Sequence, residues 1–374
     1  MKKPKVLHCI DHLGTGGAQE IVWDLSKLLS STYETHVAYI FNKPAYAEKI
    51  TRAGVPVHFL GGSAEYTFIS ALNPMPLVRL LRLVAREKYD IVHVHLYVAS
   101  LYSIFIKLVS PHTRIVNSIH APRRVIPNIY LHYPLVRFVT DQFIAEYDST
   151  VSDLIRFGVS KARVELIHFG SNVVDNFKAS QTSDIRPELD IPPSAPVLVS
   201  IARLSPERHV DVFLKMWVKV VKNIPEALFL IVGDGPEEAR LKKLAQELHI
   251  EKSVRFAGWR GDLPALLQAV NVYVTVFEDA DPMSIAAIQA WVYGVPVVGY
   301  NIGDHTCADV RTKGEFLVSS SDVRELAAET IALLKNPDQA KKAGEAGYVH
   351  AQKMYSVHGM ISAHDALYQK LLTV

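Results

Sequence analysis

The sequence predicts an α/β protein made of two doubly wound parallel-sheet domains. Three observations predict it. Short apolar runs of strand length alternate with amphipathic helical stretches through most of the 374 residues, the order that covers both faces of a parallel sheet with helices. The alternation breaks once, at residues 176–196, where Ser180, Gln181, Thr182 and Ser183 precede Pro187, Pro192, Pro193 and Pro196; such a stretch reads as a connector. The length suits two ordinary domains, each able to bury its own core. The expected division is a first domain over 1–176, a linker over 177–195 and a second domain over 196–356.

The elements follow in order. Residues 5–10 form a first strand, ending in the polar, Gly-rich loop 11–17. Ile21, Val22, Leu25, Leu28 and Leu29 then share one face of a helix. Further strands are expected at 36–41, 57–60, 91–95, 114–118 and 142–145, with helices such as 76–87 and 99–109 between them. After the connector the pattern restarts, with strands at 197–202, 228–232, 254–257, 272–276 and 295–299. Helices are expected at 210–222, 236–248, 263–269 and 283–293. Ligands of such sheets bind at the carboxyl ends of the strands, and two sheets facing each other make an interdomain cleft.

Composition narrows the function. The chain is 49% hydrophobic and 21% charged, which excludes disordered, collagen-like and coiled-coil classes. Forty Lys and Arg against 38 Asp and Glu give +2, so bulk charge provides no basis for nucleic-acid binding. Residues 1–175 hold 19 basic and 14 acidic side chains, net +5, and the remainder 21 and 24, net −3; the halves suit different partners. Cys9 and Cys307 offer neither a disulfide framework nor metal-ligand spacing. The apolar run 6–10 is too short for a signal-peptide core. The uncharged run 282–303 contains Gln289, Gly294, Pro296 and Asn301 and reads as a buried helix, a turn and a strand. A soluble cytoplasmic protein is expected.

Several strand ends carry candidate chemistry. Gly14, Gly16 and Gly17 follow the first strand and open a helix, where backbone N–H groups can approach an anion. The stretch lacks the final Gly of a dinucleotide fingerprint, although Glu34 has the right spacing for its acidic residue, and it also reads as a tight strand-to-helix turn. Gly233-Asp234-Gly235-Pro236 ends another strand, with Pro236 suited to a first helical position. Arg203 and Arg208 lie on the loop after the first strand of the second half, where two permanent cations can neutralise a diphosphate. Asp281 precedes the helix 283–293 and can accept from sugar hydroxyls or act as an N-cap. The N–H groups of Met283, Ser284 and Ile285 can meet phosphate, and Gln289 lies two turns in. Asp279-Ala280-Asp281 looks like a metal-binding pair but lacks further oxygen ligands. His93 and His95 share one strand face and His120 ends the next strand. Zinc is conceivable there, yet no ligand set at a metal spacing completes it, and satisfied structural histidines are the commoner outcome.

Taken in order, these segments resemble the retaining GT-B glycosyltransferases, specifically glycosyltransferase family 4. The resemblance runs through Gly16-Gly17-Ala18-Gln19, His93-Val94-His95, Ser118-Ile119-His120, the segment 165–170, Ala202-Arg203-Leu204 through Arg208, Gly233-Asp234-Gly235-Pro236, the segment 254–258, and Gln289-Ala290 leading to 294–298. It implies two Rossmann-like domains, with a nucleotide-sugar donor held by the second and an acceptor by the first. It places Arg203 and Arg208 on the donor diphosphate, His120 near the donor sugar, and Gly16 and Gly17 near the diphosphate and acceptor. Gly233, Arg260, Asp281, Met283, Ser284, Ile285 and Gln289 complete the implied donor set, with His120, Arg203, Arg208 and Asp281 as its catalytic core. No metal or other cofactor is implied, because fixed cations stabilise the leaving group. The final helix, residues 357–372, is implied to return to the first domain. The family carries Glu, seven residues, then Glu; here Asp281 and Gln289 stand in those positions, and His209 replaces the usual Gly.

The expected function is metal-independent, retaining transfer from a UDP-sugar to a carbohydrate or lipid-linked hydroxyl. The rivals are a nucleotide-sugar epimerase of the same architecture and a catalytically degenerate binding protein, supported by the Asp281 and Gln289 departures. Arg79, Arg82, Arg86, Arg123, Arg124 and Arg137 suit peripheral contact with an anionic membrane at the inner face of the cytoplasmic membrane, whereas 76–88 reads first as an ordinary sheet-covering helix.

Overall fold

The computed structural model describes residues 3–14, 16–63, 73–120, 133–175, 184–278, 281–282, 284–301, 317–320 and 322–373. The chain divides into two compact units, Met1–Gly170 with Val357–Val374, and Ser171–Ser356.

The first unit is a parallel sheet of β1 (Lys5–His12), β2 (Glu34–Phe41), β3 (Val57–Phe59), β4 (Ile91–His95), β5 (Arg114–Ile119), β6 (Gln142–Ala145) and β7 (Val164–Leu166), in the order β3-β2-β1-β4-β5-β6-β7. Side chains alternate between its faces. Leu7, Cys9, Val92, Val94 and Ile115 meet Leu80, Leu83 and Val84 of the helix Met75–Glu87 and Val98, Tyr102 and Ile106 of the helix Tyr97–Val109. On the other face Val6, Ile91, Val116 and Ile144 meet Ile21 and Leu25 of the helix Gly17–Leu28. The same cluster takes in Val357, Met360, Leu367 and Tyr368 of the closing helix Val357–Thr373. The Tyr33 hydroxyl donates to Asp365 at 2.6 Å, fastening that helix to the turn after Gly17–Leu28.

The second unit pairs β8 (Val197–Ile201), β9 (Leu228–Val232), β10 (Val254–Gly258), β11 (Val272–Glu278), β13 (Val297–Asn301) and β14 (Leu317–Ser320) in the parallel order β10-β9-β8-β11-β13-β14. The two-residue β12 (Asp281–Pro282) lies antiparallel to the end of β11. Phe213, Leu214, Trp217 and Val220 of the helix Val210–Asn223 pack on Leu198, Phe229, Ile231 and Val274. The helix Ile285–Val292 is held by the helix Pro337–Met354, where two glycines permit close approach. A Cβ on Gly344 would lie 1.8 Å from the Gly294 carbonyl oxygen, and one on Gly347 would lie 2.3 Å from the Trp291 ring.

Within the expected linker, residues 184–195 are mostly exposed but anchored at three buried side chains. Ile185, Ile191 and Ala195 are buried. The Arg186 guanidinium donates to the carbonyls of Ala269, Pro192, Pro193 and Ala195. One arginine thus gathers the carbonyls of this Pro-rich segment. Ser171 begins the second unit by donating its N–H to the Tyr355 carbonyl. The run 282–303 contributes β12, a buried helix and β13, and among the described residues no helix is long and apolar enough to cross a membrane. Cys9 is a free, buried thiol; Cys307 lies outside the described residues.

Burial holds His8 down to about pKa 3 and His364 to about 4, with His93 and His95 also pushed well below the usual range. Unfolded histidines titrate near 6.5, so these four contribute stability that is complete above pH 6.5 and is lost as pH falls towards 4. Each is expected to lower stability by about 1.4 kcal/mol per pH unit below 6.5. Urea denaturation of wild type and His364→Gln checks this. The variant should lose one histidine's share of the slope, and parallel pH profiles would contradict the neutral, buried assignment.

Candidate active site

In the second unit the loop Ala202–His209 leaves the carboxyl end of β8 and is stitched to the loop after β9. Leu204 N–H donates to the Asp234 carbonyl at 2.7 Å, Glu237 N–H to the Leu204 carbonyl at 3.0 Å, and Ala202 N–H to the Val232 carbonyl at 3.0 Å. The contact is close enough to require glycine. A Cβ on Gly233 would sit 2.0 Å from the Ala202 carbonyl oxygen, one on Gly235 would sit 2.3 Å from that of Leu204, and both residues have positive φ (126° and 155°). Gly233, expected on the donor side, therefore shapes the basic loop. This same stitching displaces the helix start: the helix is Glu238–Glu247, so Pro236 precedes it by two residues instead of occupying its first position.

Arg203 is exposed and Arg208 half-buried. Arg208 closes the short turn Pro206–Arg208 and is followed by His209 in the left-handed conformation at φ 50°, the site where a Gly is usual in the resembled family. The Ser205 hydroxyl donates to Glu207 at 2.6 Å and holds its carboxyl below the usual range, helped by its own backbone N–H, Arg208 and Arg203. Tyr273, within the apolar run of β11, ties this loop to the next. Its hydroxyl donates to the Ile201 carbonyl at 2.9 Å and lies 3.4 Å from the Ser284 hydroxyl. Burial raises its pKa to about 12, against smaller lowering effects that include Arg208. Tyr273 thus brings the basic loop and the start of the helix Ile285–Val292 together.

That helix departs from expectation. It begins at Ile285 with Ser284 as N-cap, so Asp281 is not the cap. Asp281 pairs with Glu278 across β12 and β11, because a residue before proline is driven from helical to extended backbone. The Asp281 side chain, Met283, Asp279 and Ala280 lie outside the described residues. Gln289 is half-buried, and its Oε1 is buried without a hydrogen-bond partner among the described residues. Arg260, expected on the donor, bonds Asp262 and Glu188, the latter at 2.7 Å. Asp262 first and Glu188 second raise its pKa.

In the first unit, Gly16 is the N-cap and Gly17 the first residue of the helix Gly17–Leu28. Both are exposed, neither has strained backbone, and a Cβ on Gly17 would meet nothing within 4 Å. The fold does not require glycine at Gly17; open N–H access is what its missing Cβ supplies. Asp11, at the end of β1, accepts from the Val98 and Ala99 N–H groups at 3.1 and 2.8 Å. Burial raises its carboxyl to about 6 despite these bonds.

His120 is only 6% exposed at its side chain. Its Nδ1 lies 2.6 Å from Glu146 Oε1 and its Nε2 3.0 Å from His95 Nδ1. Glu146, directly after β6, is missed by sequence reasoning, although His120 and Arg203 also stand just past a strand. His8, His93 and His95 could each point one ligand atom to a common point, all within 4.8 Å of one another. Their nitrogens are largely committed already: His93 to Tyr368 and Ser118 at 2.5 and 2.7 Å, and His95 to His8 and His120.

The comparisons with known proteins now bear on this arrangement. A family model described as Glycosyltransferase Family 4 matches residues 15–173, and one described as Glycosyl transferases group 1 matches residues 181–350. The chain is a family-4-like glycosyltransferase. It is 23% identical over 319 residues to the N-acetyl-alpha-D-glucosaminyl L-malate synthase of Bacillus anthracis, covering 79% of this chain and 78% of that one. It is 24% identical over 270 residues to the UDP-Gal:alpha-D-GlcNAc-diphosphoundecaprenol alpha-1,3-galactosyltransferase of Escherichia coli, covering 68% and 69%. The crystal structure of Anabaena Alr3699/HepE in complex with UDP superimposes with a TM-score of 0.80 at 18% identity, covering 98% of this transferase and 100% of that chain. That likeness shows the shared GT-B fold of two Rossmann-like domains.

The stitching of the basic loop gives a direct test. Gly233→Ala forces a Cβ against a backbone oxygen in the transferase's second unit, where neither partner is a flexible side chain. It should destabilise that unit by about 2–4 kcal/mol, read as a lowered denaturation midpoint, whereas Gly17→Ala should leave the midpoint unchanged. Equal midpoints for wild type and Gly233→Ala would contradict the close approach.

Proposed function

We propose that the transferase moves a sugar from a UDP-sugar to a carbohydrate or lipid-linked hydroxyl in glycan biosynthesis, with retention of anomeric configuration and without a metal ion. The observation that carries this reading is the loop Ala202–His209, which presents Arg203 and Arg208 at a strand end built by glycine-only approach. Two guanidinium groups there supply permanent, bidentate positive charge for the diphosphate as it leaves. Support for the base comes from the complex of the Anabaena protein with UDP and from the UDP-Gal donor named for the Escherichia coli relative.

In this reading the second unit binds the donor. Asp281 accepts from sugar hydroxyls, Ser284 and Ile285 N–H groups meet phosphate, and the Gln289 amide bonds ribose hydroxyls without charge assistance. The first unit receives the acceptor beside Gly16 and Gly17. The acceptor hydroxyl attacks from the side on which the diphosphate departs, so no protein nucleophile is required. The membrane part of the reading rests on fewer groups than the sequence suggests. Arg79 and Arg137 donate to the Leu60, Phe157 and Gly158 carbonyls, Arg86 pairs with Glu87, and Arg123 and Arg124 lie outside the described residues.

Arg203→Ala and Arg208→Ala should each weaken UDP binding by about 1.5–3 kcal/mol. Gln289→Ala should cost about 1 kcal/mol, the scale of one neutral hydrogen bond. Titration calorimetry with UDP measures all three, and donor turnover in EDTA should equal that in buffer alone. Strict dependence on a divalent ion, or unchanged UDP affinity in both arginine variants, would overturn the assignment of leaving-group charge.

A further inference from the structure

A polar row crosses one face of the sheet of the first unit. His8 lies on β1, His93 and His95 on β4, Ser118 on β5, His120 just past it, and Glu146 just past β6. They share a face because each is an even number of residues from Val6, Ile91, Val116 or Ile144, which pack under the closing helix. Register brings them side by side, with His8 opposite His93 and His95 opposite Ser118.

Four of these side chains form a single file. Glu146 Oε1 lies 2.6 Å from His120 Nδ1, His120 Nε2 lies 3.0 Å from His95 Nδ1, and His95 Nε2 lies 3.2 Å from His8 Nδ1. The far end, His8 Nε2, is buried without a hydrogen-bond partner among the described residues. Around the file stand His93, His364 and the Tyr368 hydroxyl.

A carboxylate can only accept, so the His120 Nδ1 carries the proton. The Nε2 of His120 then accepts from His95 Nδ1–H, and His95 Nε2 accepts from His8 Nδ1–H. A bare lone pair is left at His8 Nε2, the one ring nitrogen of the file without a partner among the described residues. Running the file the other way would set two lone pairs against each other at Glu146 and strand a buried N–H at His8, a rarer defect than a stranded acceptor. A metal ion on His8, His93 and His95 would have to take a His95 nitrogen bonded to His8 or His120 and a His93 nitrogen bonded to Tyr368 or Ser118, which disfavours that alternative.

We propose that Glu146 is a positioning residue that acts through this file, fixing His120, His95 and His8 all as the Nδ1–H tautomer. Both nitrogens of His120 are thereby turned into the protein. Within the transferase reading, on which only this consequence rests, His120 relays no proton to or from substrate, because Glu146 and His95 occupy both of its ring nitrogens.

The test is long-range nitrogen–proton NMR of the full chain labelled with nitrogen-15 histidine, which distinguishes Nδ1–H from Nε2–H rings. Wild type should show Nδ1–H at His8, His95 and His120. Glu146→Leu, which removes the acceptor, should make the two directions of the file equivalent and introduce an Nε2–H signal at His95 or His8. His8→Phe should leave His95 and His120 as Nδ1–H, because direction is set from the Glu146 end. An Nε2–H ring at any of the three positions in wild type, or an unchanged pattern in Glu146→Leu, would overturn the proposal. If Glu146→Leu does not fold, the wild-type pattern and His8→Phe decide. Failure of the transferase reading would appear separately, as absent donor turnover in wild type, and would leave the tautomer result standing.

Discussion

Parallel strands cannot be joined by a tight turn; each must be followed by a crossover that returns the chain to the starting edge. In both units this constraint sends every strand the same way, apart from the two-residue β12, and delivers the loops after the strands to one edge. The basic loop after β8, the glycines after β9 and the start of the helix Ile285–Val292 are brought to one edge for that reason. So are the loop after β1, His120 after β5 and Glu146 after β6. Chemistry collects at these ends because the strands themselves, covered on both faces, are filled mostly with apolar side chains.

The two units use that edge differently. In the second, backbone approaches backbone: Gly233 and Gly235 let two loops share hydrogen bonds, and the buried Tyr273 hydroxyl lies against the start of the helix that carries Gln289. The permanent charges of Arg203 and Arg208 are thereby set on a rigid frame. In the first, the sheet face itself is polar over part of its width. A row of imidazoles takes the place of aliphatic side chains beneath the closing helix, and hydrogen bonds among neutral rings meet the cost of burying them. The price is sensitivity to acid.

Much of this was legible in the sequence. The runs 91–95 and 228–232 are strands to the residue, since every side chain in them is buried and the apolar pattern has no ambiguous end. The alternation of strands and helices identified both sheets, and the resemblance to family 4 is matched by both family models. What escaped depends on relations between segments. Asp281 looked like a helix cap, but the proline after it holds the backbone extended and the helix waits until Ile285. Pro236 looked like a first helical residue, but shared hydrogen bonds with Leu204 delay the helix to Glu238. The prolines near 187–196 read as a connector, and their composition did not show that Arg186 would gather the carbonyls of Pro192, Pro193 and Ala195. Glu146 and His8 were invisible because their roles follow from the registers of β1, β4, β5 and β6, and Tyr273 was hidden inside an apolar strand.

The central claim is that the edge carrying Arg203, Arg208 and the start of the helix Ile285–Val292 receives the diphosphate of a nucleotide donor. Amide hydrogen exchange of the full chain, followed with and without saturating UDP, tests it most directly, because backbone protection reports where the nucleotide sits without altering any side chain. The account predicts slowed exchange at residues 202–209 and 284–289. No protection at those residues, with protection only in the first unit, would contradict it.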